Sequence, residues 1–354
     1  MLFRSTDGGE VENINMPATS AITSFKNRAV GIAPESPYSW FYSKQVLPNT
    51  PTEFSSELFL ENVDQKIGKI TAIGTLDDKL ILFGPTRKYY VVGSGPTPSG
   101  VNNDFSEAQI ITGSAGCSNQ RSVIELPIGL LYQNSVKGIY LLDRSLQDRY
   151  IGADVEAYNG IAITSAVNVP TQNKCVLTLA TGVNLVYDYF VNQWEVDPLP
   201  ASYVVDATQF QSTYCWLAPN GVIYQQTPGQ YTDAGAFIPM SFKTGWLSFA
   251  NIGGFQRVWE LQLVGTYKSP HTLTVNIYTD FSTSIAQTVT IPVLSDPGLY
   301  QFRIRLTHQK CETMQIEVIE SQSAPYGEGF SLSAMNLRAG VKKGQYKLPA
   351  GASY

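Results

Sequence analysis

The sequence predicts an all-β protein in which a β-propeller-like domain over residues 1–237, with about five visible blades, precedes a β-sandwich over residues 238–341. An exposed arm is expected at residues 342–354. The first observation behind this prediction is a unit of apolar strands and turns that recurs at a spacing of about 40 to 50 residues, as propeller blades do. The second is a change, after the last unit, to longer strands in which apolar and polar residues alternate.

The composition supports strands and turns over helices. The chain has 354 residues, of which 43% are hydrophobic and only 15% are charged. Tyr (20) and Phe (16) are plentiful, and Gly (29) and Pro (20) supply turns. A chain of this length is expected to form two or three domains, and helix should be a minor component.

The recurring unit consists of a short strand, a turn, an apolar strand, a second turn and another apolar strand. It is clear at residues 130–152, LLYQNSVKGIYLLDRSLQDRYIG. Because one small sheet cannot bury both of its faces, radial stacking of such units covers each face with a neighbour. The units begin at residues 22, 70, 123, 163 and 204. Turn-forming pairs fall where hairpins need them, at Lys26-Asn27, Asp77-Asp78, Lys137-Gly138, Thr181-Gly182 and Asn220-Gly221.

Two interpretations fit the Asp143–Arg144 pair. It is either a carboxylate held beside its counter-ion for chemistry, or the polar end of a strand. Asp143 ends the strand IYLLD in the same way that Asp188 ends LVYD in the next unit. Because the arrangement repeats, we favour the strand end.

The sandwich prediction rests on the region after residues 226–239, a stretch rich in turn formers. Beyond it, HTLTVNIYT, QFRIRLT and TMQIEVIE each place apolar residues on one face of a strand and polar residues on the other. Together with residues 255–265 and 329–338, about seven strands fit in this region, as in a β-sandwich.

Several function classes are disfavoured by simple counts. A net charge of -5 argues against tight nucleic-acid binding, which needs clustered Lys and Arg. No run of about 18 apolar residues predicts a membrane span, and MLFRSTDGGE lacks the apolar segment of a signal peptide. The cysteines at 117, 175, 215 and 311 have no metal-ligand spacing, so free thiols in a reducing cytoplasm are expected.

No catalytic, metal-binding or cofactor-binding residue is predicted, and the protein is expected not to be an enzyme. Of the two histidines, His271 is expected at the surface, and neither it nor His308 has ligands at metal spacing. One enzymatic alternative stays open: Glu125 and Asp206 lie on the inner strands of their units, where propeller glycoside hydrolases place carboxylates. The equivalent positions in the other units are small and neutral: Ser24, Ala72 and Ser165.

Several stretches resemble the tail hub or nozzle proteins of short-tailed bacteriophages (podoviruses), a family of packaged-DNA stabilisation or tail tubular proteins. The resemblance covers most of the chain from about residue 20. It rests on GCSNQRSV (116–123), GLLYQNSVKGIYLLDR (129–144), YIGADVEAYN (150–159), LVYDYFVNQW (185–194), GGFQRVWELQLVGTYKSPHTLTV (253–275) and GFSLSAMNLRAGVKKG (329–344).

What the resemblance implies is a structural role in the virion tail, after synthesis in the cytoplasm of the bacterial host. Similar proteins form a homo-oligomeric ring, usually a hexamer, below the portal and adaptor, with tail fibres or tailspikes as further neighbours. The ring continues the DNA channel, holds packaged DNA until ejection and lets double-stranded DNA pass without sequence-specific binding. A glycan-binding or receptor-binding tail module, with recognition by the sandwich, is a further alternative.

Both ends of the chain carry separate expectations. Members of that family usually have a longer β-rich region ahead of the first blade, so the strand-like LFRST at residues 2–6 would find its partners in another segment or chain. The C-terminal arm is predicted either to lie along a neighbouring subunit or to be a solvated tail. In the first case Lys342, Lys343 and Lys347 would meet acidic groups, and Tyr346 and Leu348 would be apolar anchors.

Overall fold

A computed structural model confirms the all-β fold and divides the chain into two compact units, Met1–Gln226 and Thr227–Tyr354. The structure describes residues 16–33, 36–54, 59–62, 68–97, 101–198, 204–233, 235–250, 254–307 and 309–343. Within those ranges, helical structure is limited to the short 3-10 helices Gln120–Ser122, Glu156–Tyr158 and Pro170–Gln172. None of the helices in these ranges is long and apolar enough to cross a membrane.

The first unit contains five antiparallel sheets, here called blades 1 to 5, whose strands follow one another in chain order. Blade 1 comprises β1 (Ile22–Phe25), β2 (Arg28–Ile32), β3 (Ser39–Tyr42) and β4 (Phe59–Asn62). Blade 2 comprises β5 (Ala72–Leu76), β6 (Lys79–Phe83), β7 (Lys88–Val91) and β8 (Gln109–Ile111). Blade 3 comprises β9 (Ile124–Leu126), β10 (Gly129–Gln133), β11 (Ile139–Leu142) and β12 (Asp148–Tyr150). Blade 4 comprises β13 (Ile163–Val169), β14 (Lys174–Leu179), β15 (Val183–Asp188) and β16 (Gln193–Pro198), and blade 5 comprises β17 (Asp206–Phe210), β18 (Thr213–Leu217) and β19 (Ile223–Gln225).

All five predicted turn pairs connect neighbouring strands, and their backbone explains the residue choice. Lys26 and Asn27 between β1 and β2 both have positive φ, 47° and 58°, as a two-residue hairpin turn of the primed type requires. In the hairpin between β5 and β6 the residue at positive φ is Asp77 (52°), and the three later hairpins place a glycine there, as at Gly138 (φ 104°) between β10 and β11. Turn chemistry therefore sets where each strand of a blade ends.

Consecutive blades pack face to face through four apolar clusters. Alternation along each strand sends successive side chains to opposite neighbours. In β6, Leu80 and Leu82 pack on blade 1, whereas Ile81 and Phe83 pack on blade 3. The same division recurs between blades 3 and 4, and between blades 4 and 5. Each fully buried Leu, Ile or Phe contributes roughly 1.5–3 kcal/mol, so the inner blades are held from both sides.

The second unit is a β-sandwich preceded by a small hairpin. Its strands are β20 (Thr232–Asp233), β21 (Ala236–Phe237), β22 (Ser241–Lys243), β23 (Gly254–Tyr267), β24 (Thr272–Thr279), β25 (Gln287–Ile291), β26 (Gly298–Arg305), β27 (Lys310–Cys311), β28 (Met314–Ser321) and β29 (Phe330–Lys343). One sheet has the order β22-β28-β24-β25, and in the other β23 pairs with β26, β27 and β29. The predicted inward faces are buried in one core, with Leu273, Val275 and Ile277 of β24 against residues of β23 and β28.

The division between the units lies earlier than the sequence indicated. It falls after Gln226, whereas the pattern of turn formers placed it after residue 237. The hairpin β20–β21 belongs with the second unit, because the Phe237 ring stacks on Tyr326 at 5.4 Å and the Tyr231 hydroxyl donates to Glu328 at 3.3 Å. Turn-rich composition marked this segment as a connection although it packs on the sandwich.

The expected start of the C-terminal arm is wrong. Lys342 and Lys343 belong to β29, where their backbones pair with Phe255 and Gly254 of β23. Because β23 and β29 pair along their whole length, main-chain hydrogen bonds extend the strand beyond the last apolar residues. The described residues do not include Tyr346, Lys347, Leu348, His308 or the LFRST segment.

Candidate functional site

Asp143 and Arg144 have structural roles, as the strand-end interpretation predicted. Oδ1 of Asp143 accepts hydrogen bonds from the backbone N–H groups of Ser145 (2.8 Å) and Gln147 (3.0 Å), which closes the turn between β11 and β12. Arg144 does not pair with Asp143. Its Nη1 lies 3.2 Å from Oδ1 of Asp77 in blade 2, and its Nη2 donates to the Pro127 carbonyl.

The two candidate catalytic carboxylates lie on inner strands, as predicted, and each has its own partner. Glu125 in β9 is exposed and accepts a hydrogen bond from the hydroxyl of Thr75 in blade 2 at 2.9 Å. Asp206 in β17 accepts from the backbone N–H of Ala207 at 2.9 Å. Nowhere in the described ranges does a hydrogen bond link Glu125 to Asp206.

His271 is buried, so its expected surface position is wrong. It is 1% exposed, with its ring stacked on Tyr267 at a centroid distance of 4.0 Å and its Nδ1 2.6 Å from the Ser269 carbonyl oxygen. The Tyr267 hydroxyl at the end of β23 bonds both the N–H and the carbonyl of His271, which holds the residue before β24 against the end of β23 and so buries it. Within the described ranges, no group of three or more His, Cys, Asp or Glu side chains could hold a metal ion. All four cysteines are free and buried.

Residues 116–123, the stretch GCSNQRSV, form a clamp between blades. The side chain of Gln120 bonds both backbone groups of Ile73 in β5: Nε2 donates to the carbonyl at 2.9 Å, and Oε1 accepts from the N–H at 2.7 Å. Asn119 donates to the Ile163 carbonyl of blade 4 at 2.7 Å and to Gln133 of blade 3 at 3.0 Å. These amides join the inner strands of blades 2 and 4 to β10 of blade 3, so this stretch stabilises the scaffold.

A buried charge network joins blades 2 and 3, and sequence reasoning missed it. Lys88 in β7 is 0% exposed, and its Nζ lies 2.6 Å from Oδ2 of Asp148 in β12 and 2.6 Å from the Ala115 carbonyl oxygen. The Tyr132 hydroxyl donates to Oδ1 of Asp148 at 2.7 Å. Burial, followed by the nearby Asp148 carboxylate, raises the pKa of Tyr132 far above its usual range. All three side chains satisfy one another, which indicates a structural tie rather than a reactive centre.

Among the described residues, each end blade has one face that no other blade covers. On blade 5, Tyr214 and Trp216 pack on blade 4, whereas Phe210 and Ile223 on the opposite face are 60% and 72% exposed. On blade 1, the face turned away from blade 2 is partly covered by the blade's own following segment, where Phe41 packs on Phe54, and the exposed Ile22 of this face lines a cavity of about 500 Å³. No apolar cluster of the described residues joins blade 5 to blade 1. We call these surfaces the open faces of blades 1 and 5.

Comparison with known proteins gives no family assignment. No protein-family model matches the chain, and no curated protein matches it. Among solved structures, it is similar to PorZ, an essential surface component of the type-IX secretion system of Porphyromonas gingivalis, with 10% identity and a TM-score of 0.40. That match covers 61% of this chain, which spans only 27% of PorZ.

Two further solved structures show the same level of similarity. YCF48, in a structure with a bound D1 peptide, has 12% identity and a TM-score of 0.42, with 64% of this chain and 70% of YCF48 covered. The N-terminal domain of Nup159 has 12% identity and a TM-score of 0.34, with 87% and 91% covered. Scores this low carry no argument about function.

Proposed function

We propose that the protein is a non-enzymatic structural subunit of a bacteriophage tail. It assembles into a ring that continues the DNA channel below the portal and adaptor and retains packaged DNA until ejection. The sequence resemblance to tail hub and nozzle proteins supports this role. A second support is that residues 116–123, one of the stretches on which the resemblance rests, have a structural role and hold the blades together.

The observation that carries the assembly proposal is the pair of open faces on blades 1 and 5. Every internal blade face is covered by an apolar cluster, whereas Phe210 and Ile223 of blade 5 remain exposed. Exposed apolar patches on folded proteins commonly mark interaction surfaces. We assign a second copy of this chain as the occupant, with the open face of blade 5 docking on the open face of blade 1 of the next copy.

This contact uses two different faces, so it is heterologous, and a heterologous contact generates a ring when its rotation closes. It also repeats the stacking that the chain already uses between its own blades. The net charge of -5 suits a conduit, because a lumen with few basic groups does not bind passing phosphates tightly.

The first prediction tests this interface with Ile223→Asp. A charge on the open face of blade 5 would be buried without a partner in the ring, so rings should dissociate to folded monomers. Light scattering after gel filtration and negative-stain imaging measure the assembly, and circular dichroism checks the fold. Val136→Asp is the control, because Val136 is 85% exposed in the turn between β10 and β11, away from both open faces. A wild-type protein that stays monomeric at high concentration, or rings that survive Ile223→Asp, would contradict the proposal.

A further inference from the structure

A cleft of about 610 Å³ lies between blades 3 and 4, away from the open faces. On one side the cleft is lined by the buried apolar residues Leu141 and Ile151 of blade 3. On the other side it is lined by the aromatic residues Tyr187 and Trp194 of blade 4, here called the aromatic wall. This volume is within the range of about 300–1,000 Å³ that is usual for small-ligand sites. The apolar side chains packed between the two blades do not fill the space where the cleft lies.

The aromatic wall is held in a fixed orientation. The rings of Tyr187 and Trp194, a cross-strand pair of β15 and β16, lie 4.7 Å apart at 31°. The indole Nε1 of Trp194 donates to the Ile151 carbonyl across the blade boundary at 2.7 Å, and the Tyr187 hydroxyl donates to Oδ1 of Asn192 at 2.7 Å. Both rings therefore have their polar atoms satisfied. Tyr187 is 1% exposed and belongs to the core between the blades, so the half-buried Trp194 and Tyr189 and the exposed Tyr150 supply the accessible aromatic surface of the cleft.

The rim of the cleft combines donors and acceptors. Arg149 donates to Oδ1 of Asn192 at 2.6 Å, so Oδ1 accepts from both Arg149 and Tyr187. Among the described residues no hydrogen bond engages Nδ2 of Asn192, so it can donate to a ligand, and the guanidinium of Arg149 has five N–H groups in all. Asp143 and the exposed Asp154 add carboxylate acceptors.

The charges of the rim select the ligand class. Two carboxylates and one guanidinium border the cleft, so a phosphate or another anion would meet a net negative surface. A sugar hydroxyl can donate to Asp143 or Asp154 and accept from Arg149 or Asn192 without carrying charge. The C–H face of a sugar ring is the apolar partner that an aromatic wall accepts.

The turn that follows β15 carries an exposed aromatic ring next in sequence to the cleft residue Tyr189. Phe190 is 80% exposed, yet the turn that carries it is fixed, because Oδ1 of Asp188 accepts from the backbone N–H groups of Phe190 (2.9 Å) and Val191 (3.1 Å). Its chain neighbours Tyr189 and Asn192 both line the cleft.

From this arrangement we propose that the cleft between blades 3 and 4 is a binding site for a neutral oligosaccharide. The site lies on the blades, whereas the sequence alternative placed glycan recognition in the sandwich. It is independent of ring formation, since none of its residues belongs to the open faces of blades 1 and 5. It requires no turnover.

The test measures binding of neutral gluco-, galacto-, manno- and xylo-oligosaccharides of six units to the full chain by saturation-transfer NMR and calorimetry. At least one of them should bind, and Arg149→Ala and Asn192→Ala should each weaken its affinity roughly tenfold or more. Both side chains are exposed, so neither variant should lower the melting temperature much. Arg144→Ala is the matched control, an exposed arginine of the same blade that does not line the cleft, and it should bind as the wild type does.

A second part of the experiment varies the charge of the oligosaccharide. Oligogalacturonate of the same length should bind more weakly than the neutral galacto-oligosaccharide, and Asp154→Asn should narrow that difference. Three results would overturn the proposal: no binding of any neutral probe at millimolar concentration, equal binding by Arg149→Ala and the wild type, or tighter binding of the acidic probe. Loss of rings in Arg149→Ala would assign the cleft to a second copy instead, and would also overturn it.

Discussion

Individual buried polar side chains connect segments that are far apart in the chain. Arg28 of β2 donates to the carbonyl groups of Ser43, Ser94 and Pro96, and so joins blade 1 to the segment between β7 and β8 of blade 2. In the second unit, Gln256 bonds the backbone of Leu247 and Phe249. Such groups stabilise only when every partner is present, because a buried polar atom left unpaired costs more than the bond contributes.

The second prediction concerns the buried pair of Lys88 and Asp148. Lys88→Met leaves Asp148 with Tyr132 but without its counter-ion, so the free energy of unfolding should fall by about 3–5 kcal/mol. Urea denaturation measures the loss. The double variant Lys88→Met/Asp148→Leu should recover part of it, since removing both charges costs less than removing one.

Lys79→Met serves as the control, because the pair of Lys79 with Asp78 lies at the surface and its loss should leave the melting temperature unchanged. A double variant as unstable as Lys88→Met would show that packing, rather than the unpaired carboxylate, accounts for the loss.

The third prediction concerns the pH dependence of the sandwich. Oε2 of Glu317 accepts hydrogen bonds from Tyr278 at 2.7 Å and Asn276 at 3.1 Å, and these bonds, that of Tyr278 first, lower the pKa of Glu317 from 4.5. A lowered pKa in the folded state means that this stabilisation is present above about pH 4.5 and is lost as the pH falls through the folded value. Glu317→Gln should therefore destabilise the protein more at about pH 7 than at about pH 3.

Melting temperatures of the wild type and Glu317→Gln at the two pH values test this. Asp296→Asn is the control, an exposed carboxylate of the same unit whose replacement should have the same small effect at both. A Glu317→Gln effect that does not change with pH would show that the carboxylate charge is not what Tyr278 and Asn276 stabilise.

At the scale of strands and turns, the local pattern was sufficient for most of the first unit. Alternating apolar residues and turn pairs predicted the blades because hairpins are decided by residues close in sequence. The pattern failed where pairing is by backbone alone, as at Lys342 and Lys343 of β29. It also failed for Lys88 and Asp148, which lie 60 residues apart, and for the cleft, whose walls come from two blades.

The fourth prediction tests the clamp between blades. Gln120→Ala removes both side-chain bonds to Ile73 and leaves an N–H and a C=O of the inner strand β5 without these partners. The free energy of unfolding should fall by about 1–3 kcal/mol, and the Ile73 amide should exchange faster with deuterium. Arg121→Ala, at the exposed next position, should change neither quantity. Unchanged exchange at Ile73 in Gln120→Ala would rule out the clamp.

At the scale of the whole molecule, the arrangement of the blades was predictable and their terminal surfaces were not. The spacing of the units indicated how many sheets to expect and where each begins, because every unit repeats the same local chemistry. Whether the last blade meets the first depends on side chains about 200 residues apart, such as Ile22 and Ile223, which no local pattern relates. The order of the sheets can therefore be predicted from the sequence, whereas contact between the last blade and the first cannot.

The chain-order arrangement of strands within each blade has a consequence for synthesis on the ribosome. Translation at about 5–20 residues per second needs several seconds for one blade, whereas a hairpin forms in about 1–10 μs. Each sheet can therefore fold as soon as its own segment has emerged, before the next sheet exists. At that moment the face that will pack on the next blade is still exposed to solvent, for example Ile81 and Phe83 of blade 2 before blade 3 has formed. The nascent chain consequently carries one uncovered apolar face at a time, which moves toward the C-terminus as translation proceeds, and this is where chaperones would bind.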